Sequence, residues 1–342
     1  MVFSPLDRQL GISRRGWSER VEQQVTKLSV KHSFGQAVEE YRELVGVQLL
    51  KTTAWERTQE RGARLRERRQ AAAEQAWQLP KRQELLPGQR LEAVKQGVSM
   101  DGVLVYILGE EWKEVKVGCV FEYETYTEYC RQTREAKEVV KARQQSYVAH
   151  LGEPEPFAKL LSAEAERRGY DHAQQRACVG DGAKWIWNVS SLCFPTAQEV
   201  VDWHHAMEHI WLAGHLMDEW DAAHTKRWVK QREEELWLGH ARTVAAEVEA
   251  LAQARPTQRE ALHTEAGYFH NNQRRMQYQA LHEEGYPIGS GTIESGCKQL
   301  VQARMKGAGM RWSRPGAANM LALRAEYLSG RWDGAWQLTL AT

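Results

Sequence analysis

Between residues 98 and 203 short β-rich runs and helical runs follow one another in an order that few folds accept. Residues 98–108 and 112–122 are apolar and β-branched, and Gly109, Glu110 and Glu111 separate them, which predicts a hairpin. A charged stretch follows and reads as helical. SYVAHLG, 146–152, reads as a third strand. Residues 153–169 read as a helix that starts after Pro154 and Pro156 and stops at Gly169. ACVG, 177–180, is a fourth strand, Ala183 to Cys193 a second helix ended by Pro195, and EVVDW, 199–203, a fifth strand. The order β-β-β-α-β-α-β predicts an α/β fold with a mixed sheet.

The flanks have a different character. Residues 1–79 read as helical, with two helices meeting at a break near Gly46 and Val47; Phe34, Val38, Tyr41 and Leu44/Val45 form an apolar stripe on the first. That pair is compatible with a helix-turn-helix DNA-binding region. Pro80, Pro87 and Gly88 punctuate a linker at 80–97. The first part of a core then spans 98–204, an all-helical insertion 205–285, and the last part of the core, with a basic C-terminal region, 286–342. A closing helix at 290–305 completes the topology of a ribonuclease-H-like fold.

Composition narrows the function classes. Lys plus Arg is 46 and Asp plus Glu is 45, so the net charge of +1 excludes a uniformly basic nucleic-acid binder but not local basic patches. The five cysteines form no C-x-x-C pair, which argues against a zinc ribbon and a disulfide framework. The first residues, MVFSPLDRQLGISRRGW, lack the apolar region of a signal peptide, and no run approaches a membrane span. A cytoplasmic, nucleoid-associated protein is expected.

Three acidic residues stand out. Asp101 interrupts an apolar strand, where a carboxylate is costly unless it is paired or holds a cation; it reads equally well as a turn Asp before Gly102. Asp181 sits between Gly180 and Gly182 at a strand-to-helix junction, where open α/β sheets bind ligands and where Asp is also a good helix N-cap. Glu294 follows Gly289-Ser290-Gly291, and alone it is an ordinary surface residue. Its weight comes from the basic residues that follow, Lys298, Arg304, Lys306, Arg311 and Arg314 among them. These residues, with Lys184 and with Arg61, Arg64 and Arg68 of the N-terminal region, are the candidate phosphate contacts. A solvated helix face is the plain alternative for the arginine run.

His205-Ala206-Met207-Glu208-His209 fits H-x-x-E-H, the inverted zinc-peptidase pattern, in a region rich in His and Glu where chance matches are common. Trp211, Trp220, Trp228 and Trp237 are spaced for packing between helices; stacking on an unpaired base is the alternative.

The chain resembles bacterial insertion-sequence transposases of the ISKra family, which are distantly related to Mutator-like transposases. The matching segments are MDG (100–102), VGDGAKWIWN (179–188), DWHHAMEHIW (202–211) and PIGSGTIESGCKQLVQARMKGAGMRWS (287–313). The resemblance implies a DDE active site of Asp101, Asp181 and Glu294, holding two Mg²⁺ or Mn²⁺ ions. Asp202-Trp203-His204-His205 fits the C/D-x-x-H motif of the Mutator-like enzymes, which implies a supporting role for His205. The expected activity is cleavage of element ends and strand transfer into target DNA. The expected partners are double-stranded DNA, at terminal inverted repeats and target, and a second copy of the chain. Longer relatives carry a cysteine-containing N-terminal segment that is not found here, so a catalytically inactive or truncated DNA-binding copy is the alternative, and a zinc peptidase the more distant one.

Overall fold

The computed structural model describes residues 17–79, 94–129 and 136–340. The expected linker therefore falls mostly outside the described residues, and Lys95 to Gly97 already belong to the first strand.

Five strands form one mixed sheet: β1 (Lys95–Ile107), β2 (Glu111–Tyr129), β3 (Ala136–Leu151), β4 (Gln175–Gly180) and β5 (Gln198–Val201). Their spatial order is β3-β2-β1-β4-β5. The first three strands are antiparallel neighbours, while β4 lies parallel to β1 and β5 parallel to β4. Parallel neighbours need a crossover, and α4 (Pro154–Arg168) and α5 (Lys184–Cys193) supply one before each of the last two strands.

The period-two alternation of β1 divides the core. Val98 and Met100 face α4 and α5, packing with Val120, Phe157, Leu161 and Ile186. Val103, Val105 and Ile107 face the other way, onto a layer of N- and C-terminal helices. That layer holds α1 (Glu19–Lys31), α2 (Phe34–Val45), α3 (Lys51–Gln78), α11 (Gly291–Cys297), α12 (Ala303–Met305), α13 (Arg314–Leu328) and α14 (Trp332–Leu340). Val30 and Leu65 of the N-terminal helices share the core with Ile293, Leu300, Met320 and Leu321. Gly62 of α3 lies so close to α13 that an added Cβ would stand 2.7 Å from the Asn319 carbonyl oxygen.

In its described part, the stretch expected to be helical after residue 122 is strand instead. β2 and β3 run on as a two-stranded ribbon, with Glu128 opposite Lys137 and Glu124 opposite Lys141. Tyr, Thr and Val favour the pleat, and Lys141 and Glu128 form a cross-strand ion pair. Charged residues are at home there because much of this part of the ribbon faces water.

In the N-terminal region three helices are described. α2 begins with a Ser33/Gln36 capping box and ends at Gly46 in the left-handed conformation. The expected apolar stripe holds at Tyr41 but ends before Leu44, which is 74% exposed.

After β5 the chain leaves the sheet as α6 (Trp203–His215), α7 (Ala222–Trp237), α8 (Ala241–Ala254), α9 (Arg259–Asn272) and α10 (Tyr278–Glu283). Val229, Leu236, Val244, Phe269 and Tyr278 join the core of the adjacent sheet face. The chain re-enters at Ile288, whose carbonyl accepts from the Trp203 amide at 2.9 Å. Trp220 and Trp228 pack against each other, as the spacing predicts, while Trp211 is 37% exposed. No described helix is long and apolar enough to cross a membrane.

Candidate metal and phosphate site

Strand register carries Asp101 and Asp181 to neighbouring positions. Ser99 of β1 pairs with Val179 of β4, so residues 101 and 181, each two positions further on, stand side by side at the carboxyl end of β4. Asp202 follows one strand over, because Gly180 pairs with Val201 and its carbonyl accepts from the Asp202 amide at 2.8 Å. Glu294 arrives from the opposite side on α11, in the first turn of the helix. Cys297, one turn later on the same face, donates its thiol to Asp101 Oδ2 at 3.4 Å. The helix then continues through a π turn at Lys298–Gln302.

Asp101 is mostly out of water, and its carboxyl is pushed above the usual range by burial, with the neighbouring Asp181 charge adding to the shift. The Gly102 amide, 2.6 Å from Oδ1, and the Cys297 thiol oppose it. Asp181 Oδ1 accepts from the Ala183 amide at 2.8 Å, which folds its carboxylate back onto the turn just ahead of α5.

Asp202 is fully buried and saturated with donors. Oδ1 accepts from the His205 amide at 2.7 Å and lies 3.0 Å from His205 Nδ1; Oδ2 accepts from the Ser290 amide. These bonds hold the Asp202 carboxyl below its usual range despite burial. In return they raise His205 to about 9, the Asp202 hydrogen bond being the largest cause. Among the described residues, Asp202, His205 and Glu294 form the cluster whose ligand atoms all lie within 4.8 Å of one another. Asp101 and Asp181 stand beside that cluster rather than in it. Asp202 was legible only as a motif position; its burial at the junction of three segments was not.

His205 and His209 do not converge as a zinc-peptidase pair would require. His209 Nδ1 meets Glu265 Oε2 at 2.5 Å, and its ring stacks on Tyr268.

The basic candidates separate sharply. Arg61 is tied down: its guanidinium forms a two-bond pair with Glu22, donates to the Thr339 carbonyl and lies over the Trp336 ring. Arg304 is buried, donates to the Ser29 carbonyl at 2.9 Å, sits between the rings of Phe34 and Trp312, and is lowered to about 10 by burial. Both guanidiniums are therefore engaged within the fold, unlike the exposed candidates. Arg64 pairs with Glu60 and donates to Thr339, and Arg68 is half-buried and partnered. Arg314 forms a forked pair with Glu110. Lys184, Lys298, Lys306 and Arg311 are exposed. Lys298 lies 4.0 Å from Glu294.

Cys119, Cys178, Cys193 and Cys297 are buried free thiols, and Cys130 lies outside the described residues. No family model matches the chain, and no curated protein matches it.

Proposed function

We propose that this chain is a DDE transposase with a ribonuclease-H-like core, which cleaves the ends of an insertion sequence and joins the freed 3′-OH to target DNA. The observation that carries the reading is the meeting of Asp101, Asp181 and the Glu294 helix at the carboxyl end of β4. The strand order, with three antiparallel strands followed by two parallel ones, supports the core assignment. So does the position of the helical insertion just before the helix that bears Glu294.

The donor set suits a hard divalent cation. Asp101, Asp181 and Glu294 offer carboxylate oxygens, the ligand atoms that Mg²⁺ and Mn²⁺ take. Burial of Asp101 beside Asp181 is a cost that a bound cation offsets. Two such ions, held by Asp101, Asp181 and Glu294, would supply an activated water and charge stabilisation for the leaving oxygen of a phosphodiester. The chain's own residues do the rest. Asp202 fixes the His205 ring, and the protonated imidazole places positive charge beside the carboxylates. Lys184, Lys298, Lys306 and Arg311 are the exposed candidates left to hold phosphates. The chemistry needs no covalent protein–DNA intermediate, so no nucleophilic Ser or Tyr is assigned. Two element ends must be handled together, which makes a dimer the working assembly.

The test is strand transfer. Purified protein, Mg²⁺, a labelled duplex carrying the element end and a plasmid target are combined, with Glu294→Ala alongside. Joined product from the wild type alone is expected. End binding without product identifies an inactive copy, and cleavage without joining identifies a nuclease.

A further inference from the structure

We infer that Tyr268 is a positioning residue for Asp181: a strut by which the helical insertion holds the turn between β4 and α5. The inference rests on the proposed role of Asp181 and extends it to a residue 87 positions away.

Three observations converge on Tyr268. Its hydroxyl donates to the Asp181 backbone carbonyl at 2.8 Å. Its ring covers Gly182, where an added Cβ would stand 2.5 Å from Tyr268 Cε2 and where φ is +105°. Its other side stacks on His209, with centroids 3.6 Å apart and planes 22° apart, and Glu265 holds that imidazole through Nδ1. Phe269 meets the Tyr268 ring edge-on at 5.4 Å. The phenol is also pushed upward, first by burial and then by the charges of Asp181, Asp202, Glu265 and Glu208, so it stays a donor.

The turn needs such a hold. Asp181 has a glycine on either side, and glycines leave the backbone many conformations. The Ala183 amide fixes the carboxylate of Asp181, and Tyr268 fixes its carbonyl. Together they define both ends of the residue. The strut also gives His209 and Glu265 a purpose that H-x-x-E-H does not: they hold the ring that holds Asp181.

Tyr268→Phe removes only the hydroxyl and keeps the stack, and Gly182→Ala displaces the ring from the turn. Mn²⁺ affinity, duplex-DNA affinity and amide exchange are read on the full chain. For Tyr268→Phe, exchange at Ala183 is expected to accelerate and Mn²⁺ binding to weaken about tenfold, the effect typical of losing a partner behind a ligand. DNA affinity is expected to stay within about twofold, and raised Mn²⁺ to restore cleavage. Gly182→Ala is expected to move both readouts the same way. Wild-type exchange at Ala183 with wild-type Mn²⁺ affinity in Tyr268→Phe overturns the strut. So does loss of amide protection across the whole sheet, which marks a merely structural tyrosine. If the wild type neither binds Mn²⁺ nor cuts DNA, the functional reading fails, and exchange at Ala183 alone decides the strut.

Discussion

Asp202 Oδ1 stands 3.0 Å from His205 Nδ1 at the point where β5 passes into α6. The two residues shift each other in opposite directions, and the signs set a pH window. His205 is raised from its ordinary 6.5 to about 9. Its contribution to stability is therefore full below 6.5 and is lost as pH rises through about 9. Asp202 is held below its ordinary 3.8, so its contribution is present above that value and is lost as pH falls through the folded value. Urea midpoints of the wild type should fall between pH 6.5 and 9, and those of Asp202→Asn should be flatter across the same window. Equal slopes in the two proteins would remove the pair as the cause.

Asp101 leads to a counterintuitive expectation. Its carboxyl is raised by burial and by Asp181, so the ionised form weighs against the metal-free fold at neutral pH. This group's contribution is present below 3.8 and lost as pH rises through the folded value. Asp101→Asn should melt higher than the wild type in EDTA and should no longer gain stability from Mn²⁺. Differential scanning fluorimetry with and without the ion reads both, and a variant that melts lower in EDTA would refute the desolvation argument.

The basic residues divide into those that build the fold and those left to meet DNA. Replacing Lys306 or Arg311 with Ala should reduce the slope of log affinity against log salt by about 1 each, with little change in stability. Replacing Arg304 with Ala should cost about 2–4 kcal/mol in urea unfolding, because it leaves the Ser29 carbonyl unpaired and empties the space between two rings. Its salt slope, measured where the variant is folded, should equal that of the wild type. A lower slope would mean that Arg304 leaves the core to bind DNA.

The close approach at Gly62 tests whether the N-terminal helices belong to the core. Its missing Cβ would meet backbone atoms of Asn319, which cannot yield as a side-chain tip would. Gly62→Ala should therefore destabilise the whole chain by about 1–3 kcal/mol in a single transition. An early, separate transition of the helices would show that they fold as their own unit.

Much of the core was legible because burial writes itself into alternation. Val103, Val105 and Ile107 face one layer, and the strand could be read from them. The ribbon beyond residue 122 was misread because exposed strands have no apolar face to announce them. Tyr126 and Thr127 were weak signals beside Glu122, Glu124 and Glu128. Asp101 and Asp181 drew notice through their local settings, and Glu294 through the basic residues that follow it. The cations were less so, since Arg304 and Lys306 look alike in a sequence and only the fold decides which one is enclosed. Tyr268 carried no signal at all, because its bond to Asp181 joins segments that nothing local relates.

The hydrogen bonds from the Trp203 amide to Ile288 and from the Ser290 amide to Asp202 join the departure and return points of the helices from α6 to α10. To the sheet, that whole helical body is equivalent to a tight loop. Its helices can lengthen at their solvent-facing ends without shifting a strand, but Val229, Leu236, Val244, Phe269 and Tyr278 have to stay in the core of the sheet face they cover. Beyond those apolar contacts, such a change must preserve the doorway itself and the tyrosine that reaches the Asp181 carbonyl.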